Sequence, residues 1–170
     1  DPNHASAHNN LGLVFQAFGE FQKARSCYEK AIQLNSNQAD MHNNLANVLR
    51  ELGELQKAMD YYEKSIQINP NYADAHYNLG AVFNKLGENQ KAISCYEKVI
   101  QINPNYESAY NNLGVVFNEL GKDPKAISYF QKAIEINPNY ASAHNNLGAI
   151  FMQLGKLQKA KSCLQKAIQI

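Results

Sequence analysis

The stretch His8-Asn9-Asn10-Leu11-Gly12-Leu13-Val14-Phe15-Gln16-Ala17-Phe18-Gly19 decides the fold, because its pattern returns four more times at a spacing of 34 residues. Self-similarity at that period is the mark of a repeat architecture. Leu recurs as Leu11, Leu45, Leu79, Leu113 and Leu147, each followed by a small residue, Gly12, Ala46, Gly80, Gly114 or Gly148. A second glycine recurs as Gly19, Gly53, Gly87, Gly121 and Gly155. Downstream come Ala24, Ala58, Ala92, Ala126 and Ala160, then Tyr28, Tyr62, Tyr96, Phe130 and Leu164. Five blocks result, 5–38, 39–72, 73–106, 107–140 and 141–170.

Each block reads as two helices. Advancing about 100° per residue gathers Ala7, Leu11, Val14, Phe15 and Phe18 into one arc, as it does Ala75, Leu79, Val82, Phe83 and Leu86. Such an arc is the width of a core-facing stripe. The glycine that follows suits a helix C-terminus with positive φ. In the fourth block Asp123-Pro124 reads as N-cap and first-turn proline of a second helix, whose buried side is Ala126, Ile127, Phe130, Ala133 and Ile134. Asn69-Pro70, Asn103-Pro104 and Asn137-Pro138 then turn the chain, with Asn35-Ser36 in the first block. A lone helix pair cannot bury its apolar side, so neighbours stack.

These residues resemble the tetratricopeptide repeat family, whose pattern is an aromatic, Leu-Gly, an aromatic, then Ala, an aromatic and Pro in 34 residues. His8, Leu11, Gly12 and Phe15 carry the first half, and Ala24, Tyr28 and Ala31 the second. The family's Trp position holds His8, His42, His76, Tyr110 and His144. The likeness covers essentially the whole chain. It implies an all-α fold, an α-solenoid forming a right-handed superhelix of five helix-turn-helix repeats in a single array over 1–170. Asp1-Pro2-Asn3-His4 matches the end of a preceding block, and the last block stops four residues short of 34. The expectation is a segment of a longer array whose uncapped ends associate end to end.

Composition narrows the function. With 16 Lys and Arg against 15 Asp and Glu, the net charge is +1. Balanced charge argues against nucleic-acid or membrane-surface binding. No apolar run approaches the length of a membrane span, and the N-terminal residues lack signal-peptide features. Four of the five His share one repeat position, which separates them too far for one metal ion, and packing is the expected role. Cys27, Cys95 and Cys163 also share one position, two blocks apart, and read as free thiols. That points weakly to a reducing compartment, and the expected location is the cytoplasm. No phosphate loop, no Cys-x-x-Cys pair and no Ser/His/Asp constellation appears. The sequence therefore predicts no enzyme, no cofactor and no metal.

The 22 Asn residues are the functional clue. On the helical wheel, the second, fifth, sixth, ninth and twelfth residues of each block lie opposite the apolar arc. Family likeness places them in the concave groove. The sixth residue is Asn10, Asn44, Asn78, Asn112 and Asn146, and the fifth is Asn9, Asn43, Tyr77, Asn111 and Asn145. Asn47, Asn84 and Asn118 extend the stripe. Asn is a mediocre helix former, so its use here has a cost. A carboxamide both donates and accepts, and a row of them can pair with the main chain of an extended peptide. The alternative is that these amides only brace neighbouring helices. The stripe is similar to the Asn-lined groove of the repeat arm of O-linked N-acetylglucosamine transferases. That likeness implies a second possibility, a substrate-recruiting arm of a larger glycosyltransferase; a purely architectural, self-assembling segment is a third. The Lys/Arg clamp of chaperone-binding members is not met, because Arg50 is the one cation among the twelfth residues. Asp40 and Asp74 instead suit a neutral or mildly basic peptide, and Tyr77 interrupts the amides with an aromatic ring.

Overall fold

The computed structural model describes residues 4–170. Among these residues there are ten α-helices and no strand. They run α1 Ala5–Ala17, α2 Phe21–Leu34, α3 Ala39–Glu51, α4 Leu55–Ile68, α5 Ala73–Lys85, α6 Asn89–Ile102, α7 Glu107–Glu119, α8 Asp123–Ile136, α9 Ala141–Gln153 and α10 Leu157–Gln169. The family-like tail expected at residues 1–4 lies, apart from His4, outside the described residues.

Short-range chemistry sets these boundaries. Every first helix ends just before a glycine in the left-handed region, at φ between 67° and 80°. Only glycine adopts that conformation without cost, so Gly53 and its equivalents reverse the chain into the second helix. The second helices of the first four blocks each end at an extended Asn, as at Asn69 with φ −132° and ψ 95°. The side chain of that Asn then accepts from the backbone two residues on, as Asn69 Oδ1 does from Asn71 N at 3.1 Å. Asn35, Asn103 and Asn137 repeat this turn. Ser36 makes it without proline. At α8 the expectation shifts by one residue. Lys122 is the cap and Asp123 the first helical residue, where its charge meets the positive end of the helix.

The chain divides into two compact units, residues 1–82 and 83–170. In the first, α1 packs on α2, α2 on α3, α3 on α4, and α1 also meets α3. In the second, α6 packs on α7, α7 on α8, α8 on α9, α9 on α10, and α7 meets α9. Each unit is thus a stack of helix pairs in chain order, the solenoid pattern. Tyr28, Tyr62 and Phe130 fill the cores of their pairs, and Tyr96 is likewise buried. The small residue after the recurrent Leu lets the paired helices meet. A Cβ on Gly12 would sit 2.5 Å from Tyr28 Cε1, and one on Gly114 2.6 Å from Phe130 Cε1.

Two packing expectations are corrected. In the first block Leu11 and Val14 are 45% and 49% exposed, whereas Leu113 and Val116 are fully buried. The stripe is the same, but no described helix covers that side of α1. The fourteenth residue of a block is also not core: Phe18, Leu86, Leu120 and Leu154 are exposed at the helix-to-helix turn. In α8 the buried side is Ala126, Phe130 and Ala133, with Ile127 and Ile134 half-buried. No helix is long and apolar enough to cross a membrane.

Candidate functional site

The first helices carry the candidate site: four of the five have two adjacent carboxamides at their fifth and sixth places, and α5 has Tyr77-Asn78. Their side chains do different jobs. Asn9, Asn43 and Asn111, the fifth residues, are buried at 7%, 4% and 6% exposure. Asn44, Asn78 and Asn146, the sixth, are half-buried. Within each unit the sixth residue of one block donates to the fifth residue of the block before it. Asn44 Nδ2 reaches Asn9 Oδ1 at 3.1 Å, Asn78 reaches Asn43 at 3.2 Å, and Asn146 reaches Asn111 at 3.0 Å. The spacing is 35 residues each time. The bracing contact expected as the alternative is thus present. The inner amide braces the stack, and the outer amide keeps its Oδ1 and one N–H.

Tyr77 occupies the fifth place of the third block, where the other four blocks carry Asn. Within the second unit Asn112 Nδ2 donates to the Tyr96 hydroxyl at 3.3 Å, and its Oδ1 accepts from Asn111 Nδ2 at 3.3 Å. Asn10 and Asn145 are exposed. Asn145 lines a cavity of about 700 Å³ with Asn111, Ser142, Asn146, Leu164 and Ile168. Asn84 and Asn118 are half-buried, and Asn84 Oδ1 has no hydrogen-bond partner among the described residues.

The tyrosines of the second helices belong to this site, which the sequence did not reveal. Tyr62 donates its hydroxyl to Asn47 Oδ1 at 2.7 Å, and Tyr28 donates to Gln16 Oε1 at 2.9 Å. Each ring fills the core while its hydroxyl emerges among the amides. Burial pushes both phenols up to about 12, helped at Tyr28 by nearby Cys27. The signal available in sequence was the choice of Tyr over the Phe130 and Leu164 of later blocks. A core without a polar neighbour gains nothing from the hydroxyl.

The histidines do more than pack. Nε2 of His42, His76 and His144 lies 2.9–3.0 Å from the carbonyl oxygen six residues earlier, at Ser36, Pro70 and Pro138. The ring thus staples the turn between helix pairs. Cys27, Cys95 and Cys163 form no disulfide and are half-buried, and burial raises the thiols of Cys27 and Cys163. No group of three or more His, Cys, Asp or Glu among the described residues is placed to hold a metal ion.

Family models match the sequence that builds these helix pairs. The tetratricopeptide repeat model fits residues 5–38, 73–106 and 141–170, more than half the chain. The chain belongs to the tetratricopeptide repeat family. A second such model fits 27–60 and 95–128, and a TPR repeat model fits 46–87 and 116–155. No curated protein sequence matches. Among solved structures, MamA is 26% identical with a TM-score of 0.82, over 93% of this chain and 92% of that one. YrrB, described as a TPR protein with an unusual peptide-binding site, is 26% identical with a TM-score of 0.75, over 98% of this chain and 86% of YrrB. PilF of Pseudomonas aeruginosa shares the fold, with a TM-score of 0.91 at 23% identity, over 97% of this chain and 75% of PilF. Relatives of this kind support a protein-interaction scaffold.

Proposed function

We propose that the protein is a non-catalytic scaffold and that each unit holds an extended peptide along its first helices, gripping the peptide's main chain with the sixth-position amides. One observation carries this reading. The bond from Asn78 Nδ2 to Asn43 Oδ1 fixes the outer carboxamide while leaving its Oδ1 and second N–H unused. Asn44 and Asn146 are held in the same way. A preorganised donor–acceptor pair loses little entropy on binding and complements the N–H and C=O groups of an extended strand. Asn47, Tyr77, Asn84, Asn112, Asn118 and the exposed Asn10 and Asn145 are secondary contacts in this proposal. The buried Asn9, Asn43 and Asn111 serve as their support. The peptide-binding description of YrrB is in line with it.

Peptides selected by display against the whole chain test the reading. Affinity for a selected peptide should fall in Asn44→Ala/Asn78→Ala or in Asn146→Ala by about fivefold for each hydrogen bond lost, at about 1 kcal/mol per bond. Helicity should stay unchanged. Undiminished affinity in both variants would remove the amides from binding.

A further inference from the structure

We propose a subsite for a basic side chain at the entrance to α3, built by Asp40 and Tyr72. This deepens the peptide-binding reading and rests on it, because it says what the bound segment carries beside its main chain.

The cavity has a volume of about 320 Å³ and lies wholly within the first unit. Asp40, Tyr72, Asn37 and Asn69 supply its polar wall, and Ala39 and Ile68 its apolar one. The same place in the fourth block is occupied. There Asn137 Nδ2 donates to Glu107 Oε1 at 3.3 Å, and the Tyr140 hydroxyl donates to Ser108 Oγ at 3.2 Å. In the second block Ala39 stands where Glu107 does, so Asn69 loses that acceptor. Asp40 stands where Ser108 does, a carboxylate in place of a hydroxyl. With Gln38 also standing where Tyr106 does, these changes open the space and move its one carboxylate from the Glu107 position, where it accepts from Asn137, to Asp40, which accepts from no side chain among the described residues.

The charge is not neutralised from within. Asp40 is exposed and joins no ion pair among the described residues. It sits in the first turn of α3. Asp74 adds a second carboxylate to the setting. Burial raises the Tyr72 phenol, and the carboxylates of Asp74 and then Asp40 raise it further, so both negative charges bear on one ring. A carboxylate only accepts hydrogen bonds, and an aromatic ring attracts a cation to its face. The matching ligand is an ammonium or guanidinium on an aliphatic stem, with the stem against Ile68 and Ala39.

The experiment titrates the 170-residue chain, labelled with 15N, with acetyl-Ala-Ala-Arg-Ala-Ala-amide and with the same peptide carrying Gln for Arg. The arginine peptide should bind about fivefold more tightly, the scale of a solvent-accessible ion pair, and shift the amide signals of Asp40 and Tyr72. Asp40→Asn should abolish the difference, and Asp40→Ser, which copies the fourth block, should do the same. Equal affinities, no binding by the arginine peptide, or a preference that survives both variants would overturn the subsite. Asn44→Ala/Asn78→Ala separates the two readings, because it should weaken both peptides equally. If it weakens neither while Asp40→Asn still removes the preference, the amide reading fails and the subsite stands.

Discussion

Asn78 donates from Nδ2 to Asn43 Oδ1 at 3.2 Å, joining the sixth residue of one block to the fifth residue of the block before it. One side chain is buried and the other half-buried, so a single bond couples the stability of the stack to the posture of the presented amide. Two identical residues in neighbouring positions thus have unequal roles.

That inequality is measurable. Asn43→Ala removes a buried acceptor and should cost about 1–3 kcal/mol in urea denaturation. Asn10→Ala, at an exposed sixth position, should cost less than about 0.5 kcal/mol. Equal costs would mean that the bracing role does not exist.

Alkaline stability reports on the tyrosines. Tyr28 and Tyr62 titrate at about 12 in the folded chain, against about 10 when unfolded. The unfolded chain therefore loses these protons first. The stabilisation is fully present below pH 10 and is lost as pH rises through 10 toward 12, by on the order of 1 kcal/mol per tyrosine at pH 11. Denaturation curves at pH 8 and pH 11 should show a smaller fall in Tyr28→Phe/Tyr62→Phe than in the parent chain. Parallel falls would contradict the assignment.

Two glycines should fail for different reasons. Gly53 has φ of 80° and open space around a would-be Cβ, so Gly53→Ala costs about 1 kcal/mol from backbone strain alone, and Gly53→Asn less. Gly114 is helical and pressed against Phe130, so Gly114→Ala costs about 1–3 kcal/mol from overpacking. Thermal unfolding of the three variants checks the order. Rescue of Gly114→Ala by Phe130→Leu would further identify steric contact as the cause.

The helix pairs were legible because period and glycine agree at every block, and Asn-Pro closes three of them. The amide face was legible too, since only its polarity and its place on the wheel were needed. The split between inner and outer amides was not. Asn9 and Asn10 are chemically identical, and which one turns inward depends on the angle at which the next helix crosses. Tyr28 and Tyr62 read simply as core, because a helical wheel locates a ring but not the path of its hydroxyl. The Asp40 cavity was hidden for a similar reason. It exists by comparison with Glu107 and Ser108, whose side chains close the same place through bonds that sequence does not display.

The most direct test of the central claim pairs the peptide's backbone with the protein's amides. A display-selected peptide is remade with one main-chain amide at a time replaced by an ester, which removes one N–H. The account predicts that at some position the ester weakens binding to the parent chain by about fivefold, yet has no effect on binding to Asn44→Ala/Asn78→Ala or to Asn146→Ala. Ester effects of the same size in the parent and in every variant would show that these carboxamides do not hold the main chain.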